Sequence, residues 1–335
     1  MKRWTLFLWS VVVVILMQNC SNDFELTENW KDITIVYGLL DVSDTAQYIR
    51  IEKAFLDEKT NALVLAQEPD SLFYESLDVQ LQEKPVQGGA GAFYTLKKVD
   101  ANLEGYQKEG STFANSPNYV YKLDRAINGS SSYKLIIQKP NENDQITAET
   151  RVIGDLGLSF PLPFYLFKFA SNKKQSFRWN RDETAAFYDL TLRVHLTEAP
   201  ISNPTDTTPI ALDWKVASGI EGDESSTLVL QEIEDGAEFY KFLQRNLEVN
   251  AGIQRNLTRI DVIISAGGEE LYKYINAGKA SSGVTSAETL PNYTNIDDGI
   301  GLLSTRYTKE VKGFRINAAM RDTLADGPYT RELGF

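Results

Sequence analysis

From Ile33 onward, apolar and polar side chains alternate with a period of two in one run after another. In the second run Gln47, Ile49, Ile51 and Phe55 oppose Tyr48, Arg50 and Glu52. In the third, Leu77, Val79 and Leu81 oppose Asp78, Gln80 and Gln82. This period, carried by aromatic and β-branched residues, predicts half-buried strands. The same reasoning predicts strands over 33–40, 119–123, 133–139 and 146–153. The last two are parted by PNENDQ at 140–145, a run of turn formers. Short strands at this spacing predict a β-sandwich over residues 33–155.

The pattern changes at 156–169, which reads LGLSFPLPFYLFKF. Pro161 and Pro163 cannot donate to a sheet ladder, so the segment predicts an edge or a connector, and a domain boundary. Its aromatic density has two readings. The first is packing at a junction, because monomers rarely display large apolar patches without a function. The second is a binding patch, with Phe160, Phe164, Tyr165 and the nearby Trp179 as ligand contacts.

Beyond it the strand period returns over 187–199, with Leu190, Leu192, Val194 and Leu196 inward and Asp189, Thr191, Arg193 and His195 outward. Further strands are predicted at 210–218, 226–233 and 259–266, and an extended tail over 299–317. Two segments break the period. Residues 236–249 follow Asp235, with Glu238 three positions on, a capping-box start, and place Phe239, Tyr240, Leu243 and Leu247 on one helical face. Residues 269–277 predict a shorter helix. The expectation is a mainly β chain, with a sandwich followed by a second β-rich domain at 156–335 carrying about two helices.

The first twenty residues belong to none of these elements. Lys2 and Arg3 precede an apolar run at 6–17, which fits a signal h-region and is short for a bilayer span. Cys20 follows directly and is the chain's only cysteine. Met17 and Asn19 fit small-x-small signal cleavage poorly. A lone thiol at the membrane face is what lipid attachment needs, so Cys20 is expected to carry a diacylglyceryl and palmitoyl anchor. Residues 21–32 read as an acidic tether. Asp23 and Glu25 there resemble the acidic export tag of surface lipoproteins.

Charge narrows the partners. Removing Lys2 and Arg3 from 34 basic side chains leaves 32 against 46 acidic ones, a net charge of −14. Taken as a whole, such a body repels nucleic acid and anionic lipid. With Cys20 consumed by lipid, no intramolecular disulfide forms and the core must carry stability.

Catalytic chemistry finds little footing. His195 is the only histidine and lies on the outward face of its strand, where a solvent-facing imidazole is expected. No G-x-S-x-G elbow occurs, and one histidine without a free thiol argues against zinc. Carboxylates at Asp182, Glu183, Glu221, Asp223 and Glu224 sit in polar, loop-like contexts that place no two of them across a cleft. GDESS at 222–226 and NIDDGIG at 295–301 lack EF-hand spacing and read as turns. No cofactor and no metal site are expected.

VYGLLDVSDTAQYIRIEKAFL (36–56), YKLIIQKPNENDQITAETRVI (133–153) and PNYTNIDDGIGLLSTRY (291–307) together resemble a family of outer-membrane lipoproteins of Bacteroidetes, similar to those labelled domain of unknown function 4249. The third stretch is the most specific, and Asn295 and Gly299 in it suit a tight left-handed turn. The resemblance implies an immunoglobulin-like or transthyretin-like sandwich at the N-terminus, and a cell-envelope role beside TonB-dependent transporters. It brings no catalytic residues. The expected function is a non-enzymatic binding or accessory lipoprotein of the outer membrane. It would have an outer-membrane protein partner and a glycan or peptide ligand. The alternatives are a carboxylate hydrolase of surface glycans or peptides, and a structural or adhesive envelope protein.

Overall fold

The computed structural model describes residues 33–54, 62–85, 88–89, 91–110, 112–129, 131–281 and 293–335. Cys20, Asp23 and Glu25 therefore lie outside the described residues. In the first half the chain forms strands β1 (Thr34–Leu40) and β2 (Gln47–Lys53), single-turn helices α1 (Ala62–Leu65) and α2 (Pro69–Leu72), then β3 (Asp78–Lys84), β4 (Phe93–Thr95), β5 (Lys97–Asp100), β6 (Tyr119–Leu123), β7 (Ser132–Gln138) and β8 (Gln145–Arg151). After these come β9 (Leu158–Phe160), β10 (Leu166–Phe167), β11 (Gln175–Asn180), β12 (Ala185–Pro200), β13 (Thr208–Ile220), β14 (Leu228–Ile233) and helix α3 (Ala237–Asn246). The chain ends with β15 (Ile253–Gly268), α4 (Glu269–Ser281), β16 (Gly299–Ile316) and α5 (Ala318–Asp326).

The protein is mainly β. One large sheet runs β13-β12-β15-β16-β1-β2-β6-β5, with β10 also paired to β16. A four-stranded sheet, β4-β3-β7-β8, and a three-stranded sheet, β14-β11-β9, accompany it. The alternation explains the layering. Val36 and Leu40 of β1, Ile49 and Ile51 of β2 and Tyr121 and Leu123 of β6 share one core with Val79, Leu81, Leu135, Ile137 and Ile146 of the four-stranded sheet. That is a sandwich: two sheets, each burying the apolar face that its period-two pattern supplies.

A second, larger core lies between the other half of the large sheet and the three-stranded sheet, closed by α3 and α5. Leu190, Leu192, Val194 and Leu196 of β12 and Ile260, Val262 and Ile264 of β15 meet Phe177 and Trp179 of β11 and Phe239 and Leu243 of α3. Strand β16 joins the two. Its first part pairs parallel to β1, from Thr34↔Gly299 to Leu40↔Thr305, and its later part pairs antiparallel to β15 from Gly267↔Arg306. Leu303 belongs to the smaller core, and Phe314 and Ile316 to the larger. Residues 33–335 form one compact unit.

Three local expectations are corrected. Asn295 and Gly299 are not the left-handed positions of 291–301; Asp298 (φ 57°) and Gly301 (φ 120°) are. Gly301 is required because a Cβ there would lie 2.0 Å from the Val36 carbonyl oxygen. Asn295 instead brackets Leu303, donating to its carbonyl at 2.7 Å and accepting from its N–H at 3.0 Å. No reciprocal capping box forms at α3. Asp235 accepts from Ala237 N–H and Asn172 N–H, while Glu238 pairs with Lys241 at 2.8 Å. The third correction is His195, whose imidazole is not simply solvent-facing. Its Nε2 lies 2.7 Å from Oδ2 of Asp261, a carboxylate only 1% exposed.

Candidate functional site

The outer face of β1 and β2 does not end in water. Odd-numbered positions of β1 and even-numbered positions of β2 point away from the smaller core, which sends Tyr37, Tyr48 and Arg50 outward. Helix α4 stands on one side of them, and the turn after β5 on the other. The result is a cleft of about 770 Å³. Small-ligand sites commonly span roughly 300–1,000 Å³.

Two tyrosine pairs flank it. Tyr37 meets Tyr274 of α4 edge to face, with centroids 6.3 Å apart and hydroxyls 3.5 Å apart. Tyr48 meets Tyr106 edge to face at 5.2 Å. The hydrogen bond to Tyr274, with burial second, pushes the Tyr37 hydroxyl up to about 12, so that hydroxyl stays a neutral donor. Burial also raises Tyr48.

Planar polar side chains lie between the rings. Arg50 donates to Asn118 Oδ1 at 2.6 Å and to Glu52 at 3.1 Å. Arg306 lies 3.5 Å from Asp41 and 3.7 Å from Asp44. Gln47 is locked to the Asp41 backbone by a pair of 2.9 Å bonds. Both cations are thus already balanced by carboxylates. Asp44 is the lining carboxylate among the described residues, and it is taken by Arg306. The cleft offers ring edges and faces together with fixed amide and guanidinium planes. That suits it to contacts with flat rings and with hydroxyl groups.

The acidic residues singled out from sequence come together elsewhere. Glu183, Glu221 and Glu224 line a cleft of about 620 Å³ with Glu269 and Glu270 at the first turn of α4. Tyr272 donates to Glu221 at 2.6 Å, Lys273 pairs with Glu269 at 2.6 Å, and Thr150 donates to Glu270 at 3.3 Å. These carboxylates are open to water or already held. The water exclusion that strengthens acid–base work is missing there. Asp182 and Asp223 close local turns, onto Thr184 N–H and Ser225 N–H. Among the described residues, no group of three or more His, Cys, Asp or Glu side chains could hold a metal.

The aromatic candidates separate. Trp179, expected as a possible ligand contact, is instead wholly buried against Tyr188 in the larger core. Phe160 and Tyr165 are half-buried and pack edge to face at 5.0 Å. Phe164 is 98% exposed. Segment 156–169 is thus neither wholly core nor wholly surface: Leu156, Phe167 and Phe169 are buried, and Leu162, Phe164 and Leu166 are out.

Sequence reasoning missed Tyr37, Tyr106 and Tyr274, and gave Tyr48 only to a polar face. The available signal was an aromatic residue at the outward position of two successive strands, where the alternation calls for polar side chains.

No protein-family model matches the chain, and no curated protein matches it. Among the described residues no helix is long and apolar enough to cross a membrane. Among solved structures the chain is similar to the crystal structure of the calcium-binding domain CBD12 of CALX1.1, at 9% identity and a TM-score of 0.17, over 81% of this chain and 98% of that one. At that score the likeness adds nothing to what the strand pairing already establishes.

Proposed function

We propose that the protein is a lipid-anchored, non-enzymatic binding component of the outer membrane that holds a neutral glycan in the tyrosine cleft. It would be a relative of the lipoproteins labelled domain of unknown function 4249, acting beside an outer-membrane protein such as a TonB-dependent transporter. The leader ending at Cys20 and the acidic residues Asp23 and Glu25 support the location.

The cleft carries the binding reading. Tyrosine rings on both flanks match the apolar faces of pyranose rings. Arg50 and Asn118 present planar donors and acceptors suited to neighbouring hydroxyls. Since Arg50 and Arg306 are already neutralised, an anionic ligand gains little there, which favours a neutral one over an acidic peptide. The hydrolase alternative draws on the acidic cleft, where Glu269 pairs with Lys273, Glu221 and Glu270 accept from hydroxyls, and Glu183 and Glu224 are exposed.

The test is a neutral-glycan array probed with the detergent-solubilised full chain, alongside Tyr37→Ala and Tyr48→Ala. A bound glycan should lose tenfold or more in affinity in either variant with thermal stability retained. Absence of any glycan binding, or unchanged affinity in both variants, overturns the reading. Palmitate labelling of wild type against Cys20→Ala tests the anchor, and recovery of a stoichiometric barrel protein from solubilised membranes tests the partner.

A further inference from the structure

Between Leu156 and Arg181 the chain carries five basic side chains and no acidic one. Its 46 acidic residues otherwise fall about once in every seven positions, and this is the longest acid-free stretch after Cys20. The same stretch holds the most exposed aromatic ring among the described residues. Phe164 is 98% exposed at a left-handed position (φ 69°), between Leu162 at 61% and Leu166 at 49%. Tyr165 anchors the turn from beneath, against Phe160 and Phe167. The apolar surface continues onto the outer face of the three-stranded sheet, where Leu230, Arg178 and Phe160 form one row across β14, β11 and β9. The Arg178 guanidinium sits over the Phe160 ring at 5.5 Å.

The cations around this tip differ from those in the tyrosine cleft. Lys174 is neutralised by Glu232 and Glu234. Lys168, Lys173 and Arg315 are exposed and have no carboxylate partner among the described residues. Arg315 lies directly opposite Leu166 in the β10–β16 pairing. Lys168 and Arg315 thus lie beside the exposed Leu166, next to Phe164 and Leu162, while Glu232, Glu234 and Asp235 border residues 172–176 on the other side. Apolar tips with basic rims are complementary to anionic headgroups, where the rings enter the acyl boundary and the cations meet phosphate.

We propose that this tip is a second membrane contact, separate from the lipid on Cys20, and that its partner is the surface of an anionic phospholipid bilayer. The net acidity of the whole chain argues against such a contact only if charge is evenly spread, and it is not. The tip lies at the far end of β16 from Gly299, where β1 begins its pairing. The lipid contact is thus distinct from the point at which the tether enters the fold. The proposal rests on the membrane location proposed above, and not on the tyrosine cleft.

The experiment uses the full chain with Phe164→Cys, an exposed site whose loss should leave the melting temperature unchanged. An environment-sensitive fluorophore is attached to the new thiol. In vesicles of phosphatidylcholine with 30% phosphatidylglycerol, the label should shift to the blue and be quenched by doxyl lipids. The shift should weaken in 0.5 M salt. Adding Lys168→Glu and Arg315→Glu should reduce partition about tenfold or more, as reversal of surface-proximal charges requires. A label that stays in water with anionic vesicles overturns the proposal. So does a shift of equal size in pure phosphatidylcholine that grows with protein concentration, which would mark self-association. If Cys20 itself takes label, the anchor reading has failed, and the same measurement in a Cys20→Ser background still decides the tip.

Discussion

Asp261 shows how one carboxylate can be kept charged inside a sheet. Burial alone would raise its pKa. The Gly313 N–H at 2.8 Å, His195 at 2.7 Å and Arg259 at 3.2 Å outweigh that and hold it below the usual carboxylate range. A depressed folded pKa contributes stability above the unfolded value, about 3.9, and loses it as pH falls through the folded one. Asp261→Asn keeps the shape and removes the charge. It should cost roughly 1–3 kcal/mol in urea denaturation at pH 7, and the gap from wild type should close as pH drops below about 4. A gap constant from pH 7 to pH 3 would refute this account. The sequence showed His195 facing outward and gave no sign of its partner. The reason is a pair of bulges: register shifts between His195 and Leu196 in the β12–β15 pairing, and between Ile260 and Val262 against β16. They leave Ile260, Asp261 and Val262 buried in succession, and a period-two reading cannot foresee that.

At the scale of elements, segment 156–169 carries the sharpest contrast. Phe167 is fully buried, stacked on Phe169 at 5.3 Å and edge-on to Phe314 at 5.5 Å. Phe164, three residues earlier, touches almost nothing. Phe167→Ala should cost roughly 3–5 kcal/mol, whereas Phe164→Ser should stay within about 0.5 kcal/mol of wild type. Comparable losses in thermal or urea denaturation would show that the tip is packed. Composition marked this stretch as aromatic, but only its pairing divides it: β10 is two residues long and docks on Arg315 and Ile316, which turns Phe167 in and leaves Leu166 out. The strands with sustained alternation, such as β12, were legible because the apolar set of each fits one face. The cleft was less legible. Its four tyrosines come from β1, β2, the turn after β5 and α4, and their meeting depends on strand order.

That order has a consequence for the whole molecule. A mainly β chain with an N-terminal sandwich could be read from periodicity, because local alternation reports local burial. The parallel pairing of the first strand with the last could not, because residues 34–40 and 299–305 share no local signal. Through β16 one backbone serves both cores. Leu303 packs in the smaller core, and Tyr307, Phe314 and Ile316 pack in the larger. Breaking either core therefore strips β16 of one of its two paired neighbours, β1 on one side or β15 on the other. Calorimetry of the solubilised chain should accordingly show one unfolding transition. Leu135→Ala in the smaller core and Leu192→Ala in the larger should each lower that same transition, at a cost of roughly 2–5 kcal/mol. Occupation of the tyrosine cleft, which draws on β1, β2 and α4, should raise it. If Leu192→Ala instead splits the trace into two peaks, the halves are independent domains, and a ligand in the cleft would then be expected to raise only the peak that Leu192→Ala leaves in place.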